Sequence, residues 1–265
     1  MSTTRLAHTC YLRVYSSQTI KDFPQNFHRR PADCCSIIRT RFSKHKVSLG
    51  SKRSSFMTSS IQGGTDGKLE VASEDVVYKR YLTVLNRTVR FPANSEGEQA
   101  SVDFDVVGHP RSQFQFSVVF PFHTKPDGRH EVTVLKEYCQ GPNAMCYCLP
   151  TGGFDPNKHL SMADCAAAEL SEEAKLKGGT LIRLIPENHA GIPEVKWSLN
   201  RFVPYLVLDP EVDTSPGPRD PEEIIEITRV GIQELKRIMF SGDMQTPSIV
   251  TCSAALEHLE KNKLM

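Results

Sequence analysis

The chain has 265 residues, 39% of them apolar, and a formal net charge of +1. This length and apolar content suffice for one or two domains with a hydrophobic core. Residues 1–56 hold 11 of the 32 Lys and Arg residues but only 2 of the 31 Asp and Glu residues, so 57–265 is acidic, which argues against a nucleic-acid partner.

The first segment, residues 1–56, is rich in Ser, Thr and Arg, poor in acidic residues and without a regular apolar period. This composition is typical of a disordered transit peptide, so we expect a chloroplast (plastid stroma) protein. A mitochondrial address is the alternative, and translation from Met57 would give a cytosolic form. An unaddressed basic tail and a nucleic-acid-binding arm are the other interpretations. No apolar run in this segment is long enough to cross a membrane, and we expect no membrane partner.

A polar linker is expected at 57–75, followed by one domain at 76–265. Short alternating segments at 76–108 predict a small antiparallel sheet. Mixed strands with one central and two late helices favour an α+β class, or a sandwiched α/β/α domain. Ser161 is the expected N-cap of the central helix, which Gly178 and Gly179 should end. The later elements are predicted as strands at 114–122, 131–138, 180–185, 201–208 and 224–230, and helices at 161–176, 231–241 and 246–261.

Three carboxylates are clustered on the central helix, at Glu169, Glu172 and Glu173. The i, i+3 and i+4 spacing places all three on one helix face, where like charges repel. A hard divalent cation would remove that repulsion, and Mg²⁺ favours carboxylate oxygens, waters and phosphates. The preceding Gly152-Gly153 turn allows the backbone to approach a ligand closely. An ordinary solvated acidic face is the alternative interpretation.

The segment from Gly153 to Leu176 resembles a Nudix box, with matches at Glu169, Leu170, Glu172, Glu173 and Leu176. The order of elements over about 190 residues is similar to the ADP-ribose and ADP-sugar diphosphatases of the Nudix hydrolase superfamily, in their plant plastid form. The resemblance implies a Nudix α/β/α sandwich with a mixed β-sheet and an N-terminal antiparallel β extension. It also implies a homodimer, because that extension commonly pairs two subunits.

The implied reaction is Mg²⁺-dependent hydrolysis of a nucleoside diphosphate sugar, ADP-ribose or ADP-glucose, to AMP and a sugar phosphate, with Mn²⁺ as the alternative ion. Each candidate residue then takes a role from its place in the family pattern. The metal ligands are Gly152 (through its carbonyl), Glu169 and Glu173; the catalytic residues are Glu172 and, from a late loop, Glu222 and Glu223; the substrate-binding residues are Tyr138 and Pro193.

The box is degenerate at several positions. Ala168 stands where the family has an arginine that orients the glutamates, and Lys175 stands where it has a glycine. No Glu lies between Gly153 and Glu169, so the early box glutamate is missing. Relatives often have Arg and Glu at the positions of Cys139 and Cys148. These departures leave an alternative function, a catalytically degenerate Nudix module that binds nucleotide as a regulator.

Overall fold

The computed structural model describes residues 69–219 and 223–265. The predicted transit peptide, residues 57–68 of the predicted linker and the catalytic candidate Glu222 lie outside the described residues. All helices and strands of the described residues belong to one compact unit.

The N-terminal extension is a three-stranded antiparallel sheet in the order β1-β2-β3. Its first strand starts at Glu70, so the last residues of the predicted linker belong to the sheet. Every residue of that strand is exposed, and the register shifts between Val71 and Ser73 and between Val76 and Tyr78. The strands are β1 (Glu70–Lys79), β2 (Thr83–Arg90) and β3 (Ser101–Gly108).

The second sheet is mixed, because β11 runs parallel to β4 while the other pairs are antiparallel. Its central order is β10-β11-β4-β5-β13, with β6 on β5, β7 on β4 and β9 on β11. These strands are β4 (Gln115–Thr124), β5 (His130–Cys139), β6 (Ala144–Cys148), β7 (Thr151–Gly153), β9 (Thr180–Arg183), β10 (Ile192–Pro193), β11 (Arg201–Leu208) and β13 (Ile225–Gly231), while β8 (Leu176–Lys177) pairs with β12 (Glu211–Val212).

Three helices cover the two faces of this sheet: α1 (Met162–Glu172), α2 (Ile232–Met239) and α3 (Thr246–Lys261). Alternation along β4 sends Val119 to a core with Leu170 of α1, and sends Phe120 to a core with Leu235 of α2 and Leu259 of α3. The predicted α/β/α sandwich is therefore confirmed. In the described part of the chain, no helix combines the length and apolar character needed to span a bilayer.

The central helix begins as predicted but ends early. Ser161 Oγ accepts a hydrogen bond from Asp164 N at 3.2 Å, which is the expected N-cap. The expected end near residue 176 is wrong, since the helix stops at Glu172 and the chain turns at Lys175 with φ of 58°. A lysine gives no sequence signal for this left-handed turn, which usually favours glycine.

Candidate active site

The turn at β7 meets the carboxylate of Glu169 from the central helix. A Cβ built on Gly152 would lie 1.7 Å from Glu169 Oε1, so only glycine leaves room for that carboxylate. The Gly152 carbonyl accepts a hydrogen bond from Cys165 Sγ at 3.5 Å, and a carbonyl oxygen keeps a second lone pair for another partner. The predicted association of Gly152 with Glu169 is thus present in the structure.

Glu173, one turn after Glu169, is buried beside the same strand. Its side chain is 4% exposed, and Oε2 accepts a hydrogen bond from Thr151 N at 2.7 Å. Burial raises the pKa of Glu173 well above its ordinary value, and the charges of Glu169, Glu137 and Glu223 raise it further, against the lowering effect of the Thr151 amide. We refer to Glu137, Glu169, Glu173 and Glu223 as the acidic cluster.

Glu172 takes a different direction from its two neighbours on the helix. A Cβ on Gly217 would lie 2.8 Å from Glu172 Oε1, so this carboxylate packs against the loop that follows β12. The shared face expected for all three glutamates therefore holds for Glu169 and Glu173 at β7, while Glu172 faces a separate loop.

That loop is fastened to the C-terminal end of α1. Ser171 Oγ donates to Asp213 Oδ2 at 2.7 Å and accepts from Gly217 N at 3.3 Å. Arg219 Nη2 donates to the Glu173 carbonyl at 2.8 Å, while its buried Nε has no hydrogen-bond partner within the described residues. The sequence did not identify Arg219, because its contact with α1 joins residues 46 positions apart.

Glu223 reaches the cluster from the segment that joins this loop to β13. It is half-buried two residues before Ile225, which pairs with Glu137 of β5. The late-loop carboxylate expected from the sequence therefore lies near Glu173, whose pKa its charge raises. Glu222 remains a prediction.

Glu137 is a member of the cluster that sequence reasoning missed. It shares the strand face of Leu135, which packs under α1, and its Oε2 accepts a hydrogen bond from Cys148 Sγ at 3.5 Å. Burial raises the pKa of the Cys148 thiol, and the Glu137 charge raises it further. Strand alternation places Glu137 on one face of β5, but only the fold shows that α1 covers that face.

The two predicted substrate-binding residues lie away from the acidic cluster. Tyr138 is on the strand face opposite Glu137, is 40% exposed, and donates through its hydroxyl to Asn143 Oδ1 at 2.7 Å. Pro193 lies in the outer strand β10, separated from Gly153 of β7 by β4 and β11. Three strand spacings correspond to about 14 Å. The structure does not bring either residue to Glu173.

The acidic cluster fits a divalent cation through the chemistry of its donors. All four side chains offer carboxylate oxygens, the ligands that Mg²⁺ prefers, and their mutual repulsion is the kind that a cation relieves. The Gly152 cradle holds the Glu169 carboxylate next to the strand that holds Glu173. No three His, Cys, Asp or Glu side chains of residues 69–219 and 223–265 are already arranged around a metal position, so ion binding would require them to move closer together.

Comparison with known proteins places this arrangement in a family. Residues 115–246 match the family model of the NUDIX domain. A crystal structure of an ADP compounds hydrolase is similar with a TM-score of 0.54 and 17% identity, over 74% of this chain and 96% of that one. The NUDIX domain of Shewanella oneidensis NrtR, in a cocrystal with ADP ribose, gives a TM-score of 0.41 and 14% identity, over 55% of this chain and 87% of that one. No curated protein matches the sequence. With its family match running from β4 to the start of α3 and spanning the acidic cluster, the chain belongs to the Nudix family.

Proposed function

We propose that the protein is a Nudix hydrolase that cleaves the diphosphate of an ADP-sugar, ADP-ribose or ADP-glucose, to AMP and a sugar phosphate with Mg²⁺, or with Mn²⁺ as the alternative. The observation that carries the proposal is the placement of Glu169 and Glu173 at Thr151 and Gly152, inside a Nudix domain. The structural neighbour, an ADP compounds hydrolase, supports the substrate class.

The chemistry divides among residues of the cluster. A bound Mg²⁺ would neutralise phosphate oxygens and lower the pKa of a coordinated water. Glu169 and Glu173 would hold the ion, with the Gly152 carbonyl as a further ligand. Glu223, half-buried beside them, is the candidate to accept the proton of the attacking water. Glu172 would act from the side of the Gly217 loop.

Product analysis tests the reaction. The purified full chain is incubated with ADP-ribose, ADP-glucose and other nucleoside diphosphate sugars in Mg²⁺, and released AMP is measured by chromatography. We expect AMP and a sugar phosphate from at least one ADP-sugar, and no release in excess chelator.

The second candidate function is a regulatory Nudix module without turnover. Ala168 favours it, because a methyl group cannot orient the neighbouring glutamates as the family's arginine does. Binding of an ADP-sugar with no AMP released from any member of the panel would establish this function. Ala168→Arg is then the variant expected to gain turnover.

We also propose that the N-terminal sheet pairs two subunits into a homodimer. Its strands expose large apolar side chains, among them Val76, Val77 and Phe104, and open edges of this kind usually require a cover. Light scattering at micromolar concentration should give twice the chain mass. Val76→Lys should shift the protein toward monomer, whereas Leu160→Lys, at a 98% exposed loop residue, should not. A stable wild-type monomer contradicts the proposal.

The chloroplast address also stays a proposal, supported by the composition of residues 1–56. A fluorescent fusion of residues 1–60 should enter plastids. Diffuse cytosolic signal would contradict the address, and mitochondrial signal would change the organelle.

A further inference from the structure

Glu137 lies outside the Nudix box, on strand β5. The face of β5 that carries its side chain is covered by α1, the helix of the box. Along β5 its side chain follows those of Thr133 and Leu135, both buried on the face that α1 covers. The backbone also connects it to the late acidic segment, since Tyr138 N donates to the carbonyl of Ile224, the residue after Glu223, at 3.3 Å. Two separate parts of the site therefore meet at this position of β5.

The surroundings of Glu137 leave its charge poorly compensated. The side chain is half-buried, and among the described residues it forms no ion pair with a Lys, Arg or His side chain. Its partner Cys148 offers a thiol, which is a weak hydrogen-bond donor. A half-buried carboxylate without a strong partner costs free energy, and a cation is the group that offsets this cost.

The connection from Cys148 to the site is short in sequence. Thr151, whose amide holds Glu173, follows three residues later, and Gly152, which makes room for Glu169, is the next residue. Glu137 thus lies beside the strand that leads directly into the turn where the two helical carboxylates are held.

We propose that Glu137 supplies a further carboxylate to the divalent-cation site that α1 forms with β7, from strand β5 and in hydrogen-bond contact with Cys148. The inference rests on the proposed function, because it assumes that Glu169 and Glu173 hold the ion. It assigns to β5 a ligand position for a hard cation, to be filled by a carboxylate oxygen directly or through a metal-bound water.

Binding of Mn²⁺ alone tests this assignment without any dependence on turnover. Free Mn²⁺ is measured by electron paramagnetic resonance during titration of the full chain in the absence of nucleotide. Glu137→Gln should raise the Mn²⁺ dissociation constant at least ~10-fold, the scale for losing a group in or next to a coordination shell. Gln keeps an acceptor oxygen for the Cys148 thiol, so the melting temperature without metal should stay the same or rise.

Three matched variants isolate the carboxylate. Glu131→Gln removes a charge from the same face of β5, six residues or about 20 Å away, and should bind Mn²⁺ like wild type. Cys148→Ser keeps Glu137 and should also bind like wild type. The double variant Glu137→Gln with Cys148→Glu returns a carboxylate to the neighbouring position and should recover binding to within ~3-fold of wild type, on the same scale.

The outcomes separate this inference from the proposed function. Equal Mn²⁺ affinity of wild type and Glu137→Gln overturns the role of Glu137 and leaves the hydrolase proposal intact. If Glu137→Gln does not fold, Glu137→Ala takes its place, and a folded Glu137→Ala with the Mn²⁺ affinity of wild type overturns the inference. A wild-type protein that binds no Mn²⁺ at all overturns both proposals.

Discussion

The two faces of the eight-stranded sheet differ in what they bury. The face under α2 and α3 is packed with large apolar side chains such as Phe120, Phe122 and Leu206. The face under α1 holds smaller apolar residues, together with the buried Glu173 and His123, the two ionisable residues among the buried polar groups of the described chain. Burial of a carboxylate costs free energy. The face under α2 and α3 therefore stabilises the fold, whereas the acidic site on the face under α1 lowers the net stability.

The largest expected effect is on the apolar face. Phe120→Ala removes a fully buried ring and should lower the free energy of unfolding by about 3–5 kcal/mol. Chemical denaturation measures this change, and AMP release per folded molecule should stay near the wild-type value. A large loss of specific activity in the folded Phe120→Ala protein would contradict the assignment of stability to one face and of the reaction to the other.

Neutralising the buried carboxylate on the other face should have the opposite profile. Glu173→Gln should lower turnover at least ~100-fold, the scale for removing electrostatic stabilisation of developing charge. Stability should be unchanged or higher, because the repulsion from Glu169 is relieved. Glu257→Gln, an exposed carboxylate of α3, is the control and should keep full activity. Mg²⁺-dependent turnover at the wild-type rate in Glu173→Gln would refute the assignment of Glu173.

The pH dependence of stability should report the same burial. Because the pKa of Glu173 is raised in the folded state, its carboxyl costs nothing below its ordinary value of 4.5 and becomes increasingly destabilising as pH rises from 4.5 to the folded value. Without metal, the free energy of unfolding of Glu173→Gln should therefore rise relative to that of wild type as pH increases, by at most about 1.4 kcal/mol per pH unit. The melting temperatures of the two proteins, measured across the pH range, should show the same trend. Mg²⁺ should reduce the gap, and a gap that is constant from pH 5 to 8 would contradict the raised pKa.

The smallest effect is expected at the exit of α1. Lys175 adopts φ of 58°, which costs a side chain with a Cβ about 1 kcal/mol, while its Nζ donates to the Glu172 carbonyl at 2.9 Å. Lys175→Gly relieves this strain but, like Lys175→Ala, loses the Nζ hydrogen bond. Lys175→Ala keeps the strain, so chemical denaturation should give it a free energy of unfolding about 0.5–1 kcal/mol lower than that of Lys175→Gly.

The sequence predicted the parts of this architecture that depend on local patterns. Alternation located the strands, Ser161 marked the start of α1, and helical spacing placed Glu169 and Glu173 together. The direction of Glu172 could not be predicted in the same way, because it depends on a loop more than 40 residues later in the chain.

The positions of the substrate-binding candidates, and of the residues that sequence analysis missed, also depend on contacts between distant parts of the chain. Tyr138 follows Glu137 in sequence, yet strand alternation puts the two side chains on opposite faces. Glu137 and Arg219 gain their significance from contacts with Cys148 and with the end of α1, which only the folded chain brings together.

The anchoring of Glu173 by a main-chain amide has a consequence for how this protein tolerates mutation. A backbone N–H is present whatever side chain residue 151 carries, with proline as the exception. Thr151→Ser or Thr151→Val should therefore be accepted, whereas Thr151→Pro would release the carboxylate. Because the backbone holds Glu173, the residues at Ala168, Cys148 and Lys175 can differ from the family pattern without displacing this buried glutamate. The number of such differences is therefore a poor measure of how much of the site is retained.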